Sequence, residues 1–262
     1  MSDPFWRDVA ANGISVRYLE RGPTDAGETL LFLHGGTGTA ARHWSGQLTD
    51  LGVLGYRCLA PDLRGHGGTT NDRDGLDQAL MADDQAAFLE ALAVERAHVV
   101  GFSIGGVIGL YLAMRRPECV ASVTTIGSHM TVDEHVIASN ATIEPGRITI
   151  EEPDWAAALR ELHGAHYGPG HWRQLCRWLM DTWARQPAWT EADLARVAVP
   201  ALIGRGQFDD RAVQGQIDRM VAAIPGARGF VVPGVGHFFH ASGGGRAALN
   251  RELIRFLPPA AA

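Results

Sequence analysis

Apolar residues recur along this chain in two rhythms, and their alternation predicts the architecture. Short apolar runs bounded by glycine, proline or aspartate read as strands: Thr29 to Leu33, Tyr56 to Ala60, Ala97 to Phe102, Val120 to Ile126, Val199 to Ile203 and Gly229 to Val232. Short, mostly apolar runs of this kind fit strands buried on both faces. Between them apolar residues return at helical spacing: Leu80, Ala87, Leu89 and Leu92 within Leu76 to Val94, then Val107 to Met114, Ala212 to Ile224 and Ala247 to Leu257. Strand alternating with helix predicts an α/β fold with a mostly parallel central sheet and helices on both faces. At the start, Asp8 to Ala11 and Ile14 to Tyr18 flank Asn12-Gly13, a hairpin signal because both turn residues tolerate positive φ.

One stretch breaks the rhythm. From Met130 to Arg196 the pattern is helix and loop without strand alternation, and it holds five of the seven tryptophans: Trp155, Trp172, Trp178, Trp183 and Trp189. It reads as a helical insertion over one end of the sheet. Residues 130–196 are therefore expected to form a helical cap, and residues 1–129 and 197–262 the α/β core. Most of the tryptophans should pack this insertion onto the core. One or two should face an apolar pocket fit for a small, largely apolar substrate.

Composition narrows the function classes. The 262 residues suit one α/β domain with a small insertion, and 46% hydrophobic with 20% charged residues is ordinary for a globular chain. A net charge of -6 supplies no cationic field for nucleic acid, and all 23 basic residues are arginine, which reads as coding bias. No segment approaches the roughly 18 apolar residues that cross a bilayer, and Met1 to Arg7 has no signal-peptide pattern, so a cytoplasmic location is expected. Cys58, Cys119 and Cys176 are too few and too scattered for a disulfide framework or a metal site, and read as free thiols.

Candidate chemistry centres on Gly101-Phe102-Ser103-Ile104-Gly105, a Gly-x-Ser-x-Gly pattern where a predicted strand ends and a helix begins. A serine on such a turn is held with its hydroxyl exposed. The glycines admit the tight approach, and the following helix aims its N-terminal N–H groups at developing negative charge. Ser103 is the candidate nucleophile.

Four motifs then occur in one order: His34-Gly35-Gly36, Pro61-Asp62-Leu63-Arg64-Gly65-His66-Gly67, the serine turn, and Gly234-Val235-Gly236-His237. Together they resemble the α/β-hydrolase superfamily over nearly the whole chain. The resemblance implies the α/β-hydrolase fold, a Ser-His-Asp triad and no cofactor or metal. It makes His237 the base, with His240 as runner-up. It puts the acid after the strand ending near Ile203, at Asp209 by its spacing from Gly206, with Asp210 adjacent and Asp133 a remote third. It assigns the oxyanion-hole N–H groups to Gly36 and Ile104, and structural roles to His34 and His66. His98, at a strand start, reads as structural.

His163, His166 and His171 form a cluster in which the first two could share a helix face. Gly164, Gly168, Pro169 and Gly170 point instead to a loop, and a pocket-wall or surface role is expected over metal binding. The expected function is serine hydrolysis of an ester or lactone through an acyl-enzyme on Ser103, acting on a small molecule. The alternatives are a ligand-binding signalling protein of the same fold and a carbon–carbon bond hydrolase or perhydrolase relative. Aspartate-nucleophile branches are disfavoured by the serine.

Overall fold

The computed structural model describes residues 5–241 and 243–260. Among them eight strands form one sheet: β1 (Phe5–Ala11), β2 (Ile14–Arg21), β3 (Thr29–Leu33), β4 (Arg57–Pro61), β5 (Ala97–Phe102), β6 (Val120–Ile126), β7 (Ala201–Gly206) and β8 (Arg228–Val232). Their order is β1-β2-β4-β3-β5-β6-β7-β8. The first two pairings are antiparallel, and every pairing from β4 to β8 is parallel. The β1–β2 hairpin turns at Asn12 and Gly13, with φ of 47° and 78°, the left-handed pair that a two-residue turn needs.

Period-2 alternation distributes each central strand between two cores. On β3, Leu30 and Phe32 enter one buried cluster while Leu31 and Leu33 enter the other. The first cluster is closed by α1 (Ala40–Gly52) and α10 (Gly243–Phe256), through Trp44, Leu48, Leu51, Leu249 and Leu253. The second is closed by α2 (Gln78–Ala91), α3 (Ile104–Arg115) and α9 (Gln214–Ala223), through Met81, Phe88, Val107, Ile108, Ile217 and Met220. This double coverage is why the strands read as mostly apolar runs.

The helix α1 was not among the sequence expectations. Its buried face combines Ala40, Trp44, Leu48 and Leu51 with His43 and Gln47, so the apolar stripe is interrupted by polar residues. The signal was present in the Thr39 cap, whose hydroxyl accepts from the Arg42 N–H at 3.3 Å, and in the spacing of Trp44, Leu48 and Leu51.

Between β6 and β7 lie α4 (Glu134–Ala141), α5 (Pro145–Glu151), α6 (Pro153–Tyr167), α7 (His171–Trp183) and α8 (Glu191–Leu194). Polar bonds tie α6 and α7 to the loop after β4. His163 Nδ1 accepts from the Gly67 N–H at 3.1 Å, and the Tyr167 hydroxyl donates to the Thr69 carbonyl at 2.7 Å. The Thr182 hydroxyl reaches the Leu76 carbonyl at 3.0 Å. The expectation of a loop around the histidine cluster is corrected here. Gly164 lies inside α6, and only Gly168, Pro169 and Gly170 separate it from α7. Helix packing outweighs a single glycine, which costs only about 1 kcal/mol relative to alanine.

Candidate active site

Ser103 stands between β5 and α3 with φ 53° and ψ −121°. A serine in this region stores strain of about 1–3 kcal/mol, which the surroundings must hold in place. They do so from three sides. Its N–H donates to the Ile126 carbonyl at 2.8 Å. Its carbonyl accepts from the Ser128 hydroxyl at 2.8 Å and from the Gly106 N–H at 3.0 Å. The flanking glycines meet backbone: a Cβ on Gly101 would lie 2.3 Å from the Gly105 oxygen, and one on Gly105 would lie 2.2 Å from the Leu33 oxygen. No side chain fits at either place, which is the physical content of the Gly-x-Ser-x-Gly spacing. As the first residue before α3, Ser103 also sits at the positive end of that helix.

His237, in the loop after β8, places Nδ1 2.9 Å from both Asp209 carboxylate oxygens. A carboxylate only accepts, so Nδ1 carries the proton and Nε2 is left as the basic nitrogen. Asp209 follows β7 and is 3% exposed. Burial pushes its carboxyl up, but the His237 hydrogen bond and charge, with the Ala212 and Arg211 N–H groups at 2.9 and 3.0 Å, hold it below its ordinary value. Gly127 backs the pair with φ +62°; a Cβ there would lie 3.0 Å from Asp209 Oδ2 and from the His237 ring. Phe102, the residue before Ser103, packs against the same ring at 4.7 Å between centroids.

The other candidates fall elsewhere. Asp210 is exposed. Asp133 caps α4, accepting from the Val136 N–H at 3.0 Å, and takes a bond from Gln216. His240 lies behind Phe102, ring on ring at 4.0 Å, with both nitrogens buried and without a partner among the described residues. Burial drops its pKa to about 3.

Gly36 and Ile104 lie on the two segments that adjoin the serine turn. The loop carrying Gly36 is fixed by histidines. His34 Nδ1 donates to the Gly35 carbonyl at 2.8 Å while its Nε2 accepts from the Leu63 N–H at 2.9 Å. His66 Nε2 faces the Gly36 carbonyl at 2.6 Å. The Gly35 N–H is already spent on His43 Nδ1 at 3.0 Å. A Cβ on Gly36 would strike the Trp183 ring at 2.3 Å. His98 bridges Ser122 and Glu28 at 2.8 and 2.9 Å, away from this site.

Two cavities here share Arg211 in their linings. A small inner one, about 30 Å³, is lined by Ser103, Ile104, His129, Trp183 and Arg211 among others. That is room for about one water molecule. An outer one of about 610 Å³ is lined by Arg42, Trp155, Leu162, Arg211 and Phe238 among others. Trp155 and Trp183 are thus the tryptophans that line these two cavities, while Trp178 lines a separate one beside Asp74, Trp172 is fully buried and Trp189 packs on Tyr111 at 4.5 Å. The expectation of an apolar cavity holds only in part, since Arg42, Arg147, Glu152 and Arg211 share the outer wall. Sequence reasoning missed His129 and Arg211. His129 Nε2 is buried without a partner among the described residues, and burial lowers its pKa to about 4. Neither belongs to a motif; the one cue to Arg211 was its place two residues after Asp209.

The histidine cluster on α6 and α7 is occupied by backbone. His163 Nε2 donates to the Thr37 carbonyl at 3.2 Å, and His171 Nε2 to the Gly65 carbonyl at 2.8 Å. No group of three metal-ligating side chains is found among the described residues, nor a helix long and apolar enough to cross a membrane.

Comparison with known proteins agrees with the fold. The model of a family described as the alpha/beta hydrolase family matches residues 30–248. The RutD protein of Variovorax paradoxus (strain S110) is 38% identical over 121 residues, 46% of this chain and 45% of that protein. The bifunctional esterase/perhydrolase DCH of Acinetobacter calcoaceticus is 38% identical over 107 residues, 41% of this chain and 38% of that one. The chain therefore spans less than half the length of these relatives in either match. Among solved structures, the enol-lactonase from Burkholderia xenovorans LB400 superimposes with a TM-score of 0.76 at 20% identity, over 95% of this chain and 99% of that one. That likeness is one of fold.

Proposed function

The chain belongs to the alpha/beta hydrolase family, and from that premise we propose that it is a serine hydrolase cleaving an ester or lactone bond of a small molecule. The observation that carries this reading is the strained Ser103 turn, whose Phe102 packs against His237, together with the buried, hydrogen-bonded His237–Asp209 pair backed by Gly127. In this reading Ser103 Oγ attacks the acyl carbon while His237 Nε2 takes its proton. Asp209 fixes the tautomer and stabilises the imidazolium. The tetrahedral oxyanion is received by the N–H groups of Gly36 and Ile104. Its collapse expels the alcohol, which takes the proton from His237, and leaves an acyl-enzyme. Water, deprotonated by His237, then attacks the acyl carbon and releases the acid and Ser103. Residues 130–196 serve as the cap over this end of the sheet, with Trp183 and Trp155 among the residues it adds to the pocket wall.

The test is hydrolysis of a short-chain 4-nitrophenyl ester by the native protein and by Ser103→Ala, with mass spectrometry after a fluorophosphonate probe. The expected result is one adduct on Ser103 and a loss of at least about a thousandfold in kcat in the variant. No adduct, with equal rates for the two proteins, would overturn the proposal.

A further inference from the structure

Arg211 lines both the small cavity at Ser103 and the larger one that Arg42 and Trp155 also line. Its backbone is pinned: the N–H donates to Asp209 Oδ1 at 3.0 Å, so the residue is held beside the acid of the proposed triad. The residue is half-buried, and its guanidinium carbon lies 6.0 Å from the centroid of the Phe238 ring. No carboxylate among the described residues pairs with it.

The neighbouring charges sharpen the contrast. Arg147, in the lining of the larger cavity, is already paired with Glu151 at 2.7 Å. Glu152, at the start of α6, is the carboxylate of that lining among the described residues. Arg42, in the same lining, has no ion-pair partner among the described residues either. A protein with net charge -6 thus keeps two arginines without an ion-pair partner in the lining of one cavity. A partly desolvated guanidinium without a counter-ion is unfavourable in the free protein, and a ligand carboxylate offsets that cost through two parallel N–H···O bonds.

Resting on the hydrolase reading above, we propose that the substrate carries a free carboxylate besides its scissile bond, and that Arg211 binds it. A carboxylate at Arg211 lies beside a residue that both cavities share. The scissile carbonyl then extends inward to Ser103, and the remainder of the molecule outward between Trp155 and Phe238. The substrate class is accordingly the half-ester of a dicarboxylic acid, or a lactone bearing a carboxylate.

The experiment compares 4-nitrophenyl hydrogen adipate with the neutral 4-nitrophenyl hexanoate, each corrected for spontaneous hydrolysis. The proteins are the native chain, Arg211→Gln and Arg211→Lys. The native protein should prefer the anionic ester by about tenfold or more in kcat/KM, and added salt should erode that preference. Arg211→Gln should lower the anionic-to-neutral ratio at least about tenfold, and Arg211→Lys should retain most of it. A purely structural role beside Asp209 predicts equal losses on both esters and an unchanged ratio, which would overturn the carboxylate subsite. Equal rates of the native protein on both esters would overturn it as well, and would leave the serine mechanism standing. Turnover of neither ester, with no fluorophosphonate adduct on Ser103, would overturn the hydrolase reading and this inference with it.

Discussion

His237 Nδ1 lies 2.9 Å from each of the two Asp209 oxygens, so a single N–H is shared by the whole carboxylate. The arrangement holds the ring in one plane and one tautomer, and Gly127 leaves room for it because any Cβ there would touch both partners.

The first prediction follows from that shared proton. Asp209→Asn keeps the shape but offers an amide N–H₂ toward Nδ1, which favours the tautomer with its proton on Nε2. That nitrogen could no longer accept from Ser103. Ester hydrolysis should fall by about 10³–10⁴-fold, and labelling of Ser103 by a fluorophosphonate should slow in parallel, while the melting temperature changes by much less than such a loss of activity would imply. Asp210→Asn, at an exposed position, should leave the rate within about twofold, as expected of a surface substitution.

A second prediction concerns the turn itself. Ser103 has φ 53° and ψ −121°, a conformation glycine adopts without penalty. Ser103→Gly should therefore unfold at a higher temperature than Ser103→Ala, by the equivalent of about 1–3 kcal/mol, with both variants inactive. Equal melting temperatures by calorimetry would contradict the strain assigned here.

Stability should fall in mild acid, and the sign can be worked out. Burial lowers the pKa of His66 and His129 to about 4 and of His163 and His240 to about 3, and it also holds His34 and His43 well below the ordinary value of 6.5. Below 6.5 the unfolded chain takes up protons that the folded one refuses. The stabilisation is therefore complete above 6.5 and is lost as pH falls toward 4 and then 3. Asp62, raised by burial to about 6 from 3.8, opposes this between those values, but one carboxyl stands against six histidines. Urea midpoints measured at pH 7.5 and pH 5 should fall accordingly. His240→Phe should flatten part of the slope. It should also stabilise the protein at neutral pH, since it removes two buried ring nitrogens without partners, each costing about 1–3 kcal/mol.

Local rules made part of this protein legible from its sequence. A strand buried on both faces is mostly apolar, so β3, β5 and β6 could be read directly with the bounds later observed, although His98, Ser122, Thr124 and Thr125 are buried in them. The serine turn was legible for a steric reason: Gly101 and Gly105 meet backbone atoms that leave no space for a Cβ, so the chemistry leaves a local trace. The helix α1 was not legible, because the face it buries includes His43 and Gln47, and only packing against the sheet makes those positions interior. For the candidate acid the resemblance offered Asp209 and the adjacent Asp210, with Asp133 a remote third, but the direction of the Asp209 side chain from the loop after β7 is set by contacts with Gly127 and His237. Those residues lie 82 and 28 positions away along the chain. The histidines of α6 and α7 posed a similar question. Sequence spacing cannot show that Gly67, Thr37 and Gly65 would occupy their ring nitrogens. For Arg211 the cue was no more than its place two residues after Asp209. Its significance lies in having no ion-pair partner among the described residues and in lining two cavities, a property of the assembled surface that no local rule encodes.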